Sequence, residues 1–209
     1  MRGHFITLEG PDGSGKSSCA LALKAELESR GYEIVHTREP GGVEIAEKIR
    51  NLILDPQNTM MDARTEALLY AASRRQHLVE KVIPALNEGK IILCERFVDS
   101  SLAYQGCGRE LGMEAVQSIN DFAIESYMPE VTLYFDIDEE EGLKRIQKNR
   151  DHKDRLDMEK VDFHHRVANG YQTLVKTFPE RIKVIDASLS QEEVFKAALT
   201  IIEEVLDAA

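Results

Sequence analysis

Eight residues constrain this chain more than any others. Gly10-Pro11-Asp12-Gly13-Ser14-Gly15-Lys16-Ser17 match GxxxxGK[ST], directly after the apolar β-type run Phe5-Ile6-Thr7-Leu8 and directly before a segment of helical period. Such a loop functions where a strand hands over to a helix: its glycines let the backbone wrap a phosphate with N–H groups inward, and the helix adds the positive end of its dipole. Lys16 is placed to reach the β and γ phosphates, and the Ser17 hydroxyl can ligate the Mg²⁺ that bridges them. The expected ATP-binding set is Gly10, Pro11, Asp12, Gly13, Ser14, Gly15, Lys16, Ser17 and Ser18. The loop alone leaves the acceptor open: water, a small metabolite, a nucleotide, or no turnover.

The rest of the chain repeats the strand-then-helix alternation. Apolar, β-branched runs recur at Glu33-Ile34-Val35-His36-Thr37, Ile91-Ile92-Leu93-Cys94, Val131-Thr132-Leu133-Tyr134-Phe135 and Ile182-Lys183-Val184-Ile185. Between them helical periods are predicted at about 16–30, 43–54, 62–88, 112–126, 139–149, 157–177 and 190–207. This pattern predicts βαβ units around a buried five-stranded parallel sheet flanked by helices. Connections are short and no linker or repeat divides the chain, so residues 1–209 are expected to form a single α/β domain. The one sharp change of composition is Lys148-Asn149-Arg150-Asp151-His152-Lys153-Asp154-Arg155, either a solvated turn or a short lid over about 145–156 whose cations act on a ligand.

Composition then narrows the partners. A net charge of -11 disfavours an extended polynucleotide surface, which gains affinity by neutralising phosphates. Three cysteines without metal-ligand spacing suit reduced thiols, and no apolar stretch is long enough to span a membrane. A soluble, cytoplasmic protein is expected, with neither polynucleotide nor membrane as partner.

Three further strings carry a resemblance far more specific than the P-loop. They are Thr37-Arg38-Glu39-Pro40-Gly41-Gly42, the helical segment 64–75 from Arg64-Thr65-Glu66 to Ser73-Arg74-Arg75, and Glu95-Arg96-Phe97-Val98-Asp99-Ser100-Ser101-Leu102-Ala103-Tyr104-Gln105-Gly106. In this order, and with Arg155-Leu156-Asp157 at the lid position, the chain resembles bacterial thymidylate kinases. The resemblance implies the P-loop nucleoside monophosphate kinase fold and transfer of the ATP γ-phosphoryl to dTMP, giving dTDP and ADP. It also implies Mg²⁺ as cofactor and a homodimer.

Individual residues take expected roles from it. In the helix from about 62, Leu68, Ala72, Val79, Ile83 and Leu86 form an apolar stripe expected to face the core, with Tyr70, Arg74 and His77 on roughly the opposite face. Tyr70 resembles the thymine-stacking aromatic and Arg74 the donor to the base O4, while His77 and the His164-His165 pair have no carried-over role. Arg50 and Arg96 match arginines that hold the acceptor phosphate, and two cations there would neutralise a dianion before it approaches the anionic γ-phosphate. Gln105 resembles the reader of the thymine N3 edge and Tyr104 the tyrosine that excludes a 2'-hydroxyl. Asp12 resembles the carboxylate at the 3'-hydroxyl, with Glu39 assisting, and Ser101 completes the dTMP set. No basic residue occupies the variable P-loop positions, so Arg150 and Arg155 of the lid are expected to join Lys16, Arg96 and Asp12 in catalysis, Arg145 being also available. Glu95 stands where the family usually has aspartate, and is expected to meet Mg²⁺ through water. A different nucleoside monophosphate as acceptor, or a nucleotide-binding switch without turnover, remain the alternatives at this level.

Overall fold

The computed structural model describes residues 3–138, 141–142, 145 and 154–208. Five strands form one sheet: β1 Phe5–Glu9, β2 Ile34–Arg38, β3 Ile91–Glu95, β4 Val131–Asp136 and β5 Ile182–Asp186. Their order is β2-β3-β1-β4-β5 and every pairing is parallel. This is the sheet the sequence predicts. Each apolar run stops one residue before its strand does, because each strand ends on a charged residue, Glu9, Arg38, Glu95, Asp136 or Asp186, and the second run also begins one residue early, at Glu33.

Helices α1 (Lys16–Ser29), α2 (Glu44–Leu54) and α3 (Ala63–His77) follow the first strands. Helix α3 runs through a π-helical turn, Leu78–Val82, into α4 (Ile83–Asn87). After β3 come α5 (Val98–Ser101), a second π-helical segment Leu102–Gly108, and α6 (Met113–Ile124). Two 17-residue helices, α7 (Val161–Thr177) and α8 (Gln191–Asp207), complete the chain. The expected helix over 139–149 falls mostly outside the described residues, as do Arg150 and most of the lid.

Alternation along each strand sends side chains to two cores. Ile6, Leu8, Leu93 and Leu133 pack with Leu23 and Leu27 of α1 and Ala198 and Ile202 of α8. Phe5, Ile92 and Cys94 pack on the other side with Leu78, Val82, Leu86, Phe97, Val116 and Tyr171. A fully buried leucine such as Leu23 contributes about 1.5–3 kcal/mol, so these layers hold the strand ends in fixed relation. Helix ends are capped by side chains where the sequence offers them: Asp62 accepts from Arg64 and Thr65 N–H, and Ser190 with Glu193 closes a capping box on α8.

The faces of α3 are the reverse of the sequence expectation. Arg74 and His77 are buried, together with Glu66, Ala67, Ala71 and Ser73, whereas Leu68 is 56% exposed and Ala72 and Val79 also face outward. Hydrophobic period assigns the apolar stripe to the core, but the inner face of α3 walls a polar cleft. The π-helical turn then changes the phase, so that Leu78, Val82 and Leu86 do reach the core.

Candidate active site

The C-terminal ends of β1, β3 and β4 open onto a single cleft, as expected of an open parallel sheet. At its base lies the P-loop. Gly10, Gly13 and Gly15 take φ of 134°, 79° and 87°, and a Cβ on Gly10 would stand 2.6 Å from the Phe135 carbonyl oxygen. Lys16 is buried, its Nζ donating to Gly10 O at 2.9 Å, Pro11 O at 2.7 Å and Ser14 Oγ at 3.3 Å. Burial, reinforced by the Arg96 cation, pushes its pKa down to about 7. Ser17 and Ser18 stand exposed on the first turn of α1.

Ser17 Oγ donates to Glu95 Oε2 in a short hydrogen bond, and His36 Nε2 meets Glu95 Oε1 at 2.8 Å. Burial opposes the charge on Glu95, yet the hydrogen bonds from His36 and Ser17 and the nearby Lys16 hold its carboxyl below the usual range. Ser17 and Glu95 therefore present two hard oxygen donors side by side at the P-loop, a donor set that fits Mg²⁺.

Arg96 leaves β3 with φ 66°, a left-handed conformation for a residue that has a Cβ. Its surroundings over-determine it. Arg96 N–H donates to Leu8 O, Nη2 to Asp12 Oδ1 at 2.6 Å, Nη1 to Ser100 Oγ, and the guanidinium lies 5.2 Å from the Tyr104 ring centroid. Glu9 fixes the following turn, accepting from Phe97 N–H at 2.6 Å, Ser100 N–H and Oγ, and Tyr171 OH. Burial and the neighbouring Asp99 push the Glu9 carboxyl upward. The apolar-run reading stopped at Leu8 and so missed Glu9; a carboxylate at a strand end immediately before the P-loop was the available signal.

The nine side chains expected at dTMP all line this cleft: Asp12, Glu39, Arg50, Tyr70, Arg74, Arg96, Ser101, Tyr104 and Gln105. Arg50 donates to Pro40 O, and burial with the adjacent Arg38 cation holds its pKa below the ordinary guanidinium value. Tyr104 makes edge-to-face contacts with Phe163 and Tyr171, which fix its ring. Tyr134, Asp136, His164 and Gln172 also line the cleft and carry no sequence expectation as site residues.

Arg74 differs from a freely available donor. Nε meets Glu39 Oε2 at 2.7 Å, Nη1 donates to Ser101 Oγ and Asn120 Oδ1, and Nη2 donates to Phe97 O. Four of its five N–H groups are thus engaged among the described residues, and one on Nη2 is left for a ligand. His77 acquires a place that the sequence did not give it. Its Nδ1 bonds Glu39 Oε1 at 2.9 Å and its Nε2 bonds Thr37 Oγ1 at 2.8 Å, beneath the Glu39–Gly42 loop that contains the cis Glu39–Pro40 bond. Glu39, His77 and Cys94 come within 4.8 Å of one another, but both imidazole nitrogens are already hydrogen-bonded.

Gln105 Nε2 donates to Glu66 Oε1, and Glu66, fully buried, also pairs with Arg109 and Arg155. Arg155, expected in catalysis, is held at the root of the lid by two bonds. It donates to Ile53 O at 2.8 Å and Glu66 Oε2 at 2.6 Å, is 7% exposed, and joins the root of the lid to α2 and α3. Glu66, shared with Arg109, supplies the countercharge to this buried guanidinium.

A family model for thymidylate kinase matches residues 8–198. The chain is 58% identical to thymidylate kinase of Bacillus licheniformis over 207 residues, covering 99% of this chain and 98% of that protein. It is 52% identical to thymidylate kinase of Geobacillus sp. strain WCH70 over 208 residues, covering 99% of each. The crystal structure of thymidylate kinase from Ehrlichia chaffeensis superposes with a TM-score of 0.78 at 32% identity, covering 97% of this chain and 99% of that one. With its P-loop, its Glu39–Gly42 loop and its arginine-lined cleft on a parallel sheet, the chain is an enzyme of the thymidylate kinase family.

Proposed function

We propose that the enzyme transfers the γ-phosphoryl of ATP to the 5'-phosphate of dTMP, giving dTDP and ADP, in the cytoplasmic supply of dTTP. The observation that carries this reading is the convergence of Asp12, Glu39, Arg50, Tyr70, Arg74, Arg96, Ser101, Tyr104 and Gln105 on one cleft beside the P-loop. Thymine stacks on Tyr70, the free N–H of Arg74 meets O4, and Gln105, oriented by Glu66, reads N3. Tyr104 lies under the sugar and Asp12 meets the 3'-hydroxyl, with Glu39 assisting. Arg50 and Arg96 hold the acceptor phosphate as a neutralised dianion, so its oxygen can approach the γ-phosphorus.

On the donor side, residues 10–18 hold the ATP phosphates and Lys16 moves from its carbonyl partners to the β and γ oxygens. Mg²⁺, held by Ser17 and Glu95, would supply charge neutralisation across those oxygens. Arg150 carries the transition-state charge from the lid, over about 145–156. Arg155 anchors that lid through Glu66, a role revised from the sequence expectation because its guanidinium is buried and bonded to Ile53 O and the Glu66 carboxylate.

The enzyme acts as a homodimer. Ile45 and Leu52 of α2, Leu68 of α3 and Phe122 of α6 are exposed apolar residues, Phe122 at 90%, on helices that pack side by side. Exposed apolar residues on three adjoining helices fit a self-association surface. Among the described residues, no helix is long and apolar enough to cross a membrane.

An ADP-release assay with dTMP, dUMP, dCMP, dGMP and AMP tests the acceptor. Preference for dTMP by at least about tenfold is expected, the discrimination of a site built to hydrogen-bond its base. Equal turnover of another monophosphate would make Tyr70, Arg74 and Gln105 incidental; no turnover with any of them would indicate a nucleotide-binding switch.

A further inference from the structure

Strand register brings an imidazole onto the metal side of the sheet. His36 on the edge strand β2 pairs with Leu93 and Arg38 with Glu95, so His36 and Glu95 are diagonal neighbours on one face of β2 and β3. Leu93 belongs to the core packed under α1, which identifies that face as the one bearing Ser17. His36 Nε2 donates to Glu95 Oε1 at 2.8 Å, leaving Oε2 to receive the Ser17 hydroxyl. An aspartate at position 95 would withdraw the carboxylate from β2 by up to about 1.5 Å, one C–C bond length, and out of hydrogen-bond range of His36.

We infer that His36 is a positioning residue for the metal-ligating carboxylate, fixing one oxygen of Glu95 so that the other is aimed at the P-loop serine. The longer side chain and the histidine work as a unit: the added methylene gives Glu95 an extra rotatable bond, and the imidazole removes that freedom. This inference rests on the reading that Ser17 and Glu95 hold Mg²⁺. Ligand carboxylates held by outer partners lose metal affinity when those partners are removed.

The test uses full-length enzyme with ATP and no acceptor, so that nothing turns over, and follows Mn²⁺ by water-proton relaxation. His36→Leu, which keeps bulk but has no donor, should raise the half-saturating Mn²⁺ concentration about tenfold. His36→Gln, whose amide can donate, should stay within about threefold of wild type. In a Glu95→Asp background, His36→Leu should change the midpoint less than about twofold, because the pair no longer touches. His36→Thr, suited to an edge strand and too short to reach Glu95, replaces the leucine variant should that one not fold. An unchanged midpoint in His36→Leu or His36→Thr, with Glu95→Gln raising it, overturns the positioning role and leaves the metal reading standing. An equal His36 effect in the Glu95→Asp background also overturns it. No effect of Glu95→Gln would refute the metal reading itself, and the inference with it.

Discussion

Removing Arg74 should unfold this enzyme more than it disables it. Its side chain and that of Glu39 are each 2% exposed and meet at 2.7 Å. Truncation to alanine would leave the Glu39 carboxylate buried beside Cys94 with His77 as its remaining side-chain donor. Breaking a buried pair by deleting one partner costs about 3–5 kcal/mol. The Phe97 carbonyl and the Asn120 amide oxygen also lose a donor, at about 1–3 kcal/mol each where water cannot replace it. Against a total stability of about 5–15 kcal/mol, Arg74→Ala should be marginal at room temperature. Glu39→Gln removes the charge but keeps an acceptor for His77, so the double variant Arg74→Ala/Glu39→Gln should recover at least about 2 kcal/mol relative to the sum of the singles. Urea unfolding of ligand-free protein at one fixed concentration measures this. Additivity within about 0.5 kcal/mol would refute the claim that the pair is energetically coupled. In the folded fraction, loss of the remaining N–H should lower kcat/KM for dTMP about tenfold to a hundredfold while sparing ATP affinity.

Lys16 supplies a pH dependence. Its pKa is pushed down to about 7 in the free enzyme, and bound phosphates should raise it, so ATP binding should take up a proton above pH 7. Affinity should then fall as pH rises, by up to about tenfold per unit; calorimetry in buffers of different ionisation enthalpy would show no proton uptake at pH 8 were Lys16 already charged. Arg150→Ala should lower kcat about a thousandfold, whereas Arg155→Ala should chiefly lower the urea midpoint by exposing Glu66; the opposite assignment in paired rate and unfolding measurements would return Arg155 to the phosphoryl. Phe122→Asp or Leu68→Glu should shift the enzyme toward monomer in light scattering, and an unchanged mass in both would exclude that face from the interface.

The strands were legible because parallel strands buried on both faces read as continuous apolar runs. Their functional ends were less so. Glu9, Glu95 and Asp136 terminate those runs by polarity, yet belong to the strands: Asp136 lines the cleft, Glu9 holds Ser100 and Tyr171 of its wall, and Glu95 meets Ser17 of the P-loop. The region 98–108 was not read as helical, since Gly106, Gly108 and small polar residues carry little helical period and most of it winds as a π-helix. The nine residues expected at the acceptor line one cleft, but their internal bonding was not legible in the sequence. Whether Arg74 points freely into the cleft or is held by Glu39, Ser101, Asn120 and Phe97 depends on partners from three separate segments, which no local pattern encodes.

Two carboxylate–histidine pairs divide the labour between the faces of the sheet. Positions 36 and 37 of β2, like 94 and 95 of β3, point to opposite sides. On one side His36 meets Glu95 and, through it, Ser17 of the donor loop; on the other Thr37 meets His77, which holds Glu39 of the acceptor loop. The P-loop and the Glu39–Gly42 loop are therefore registered against each other through a single backbone ladder, one residue apart. A shift of β2 by one position would exchange the two faces and dismantle both pairs at once. The edge strand, the part of the sheet with fewest neighbours, is thus held in register by hydrogen bonds that also tie it to the P-loop and to the Glu39–Gly42 loop.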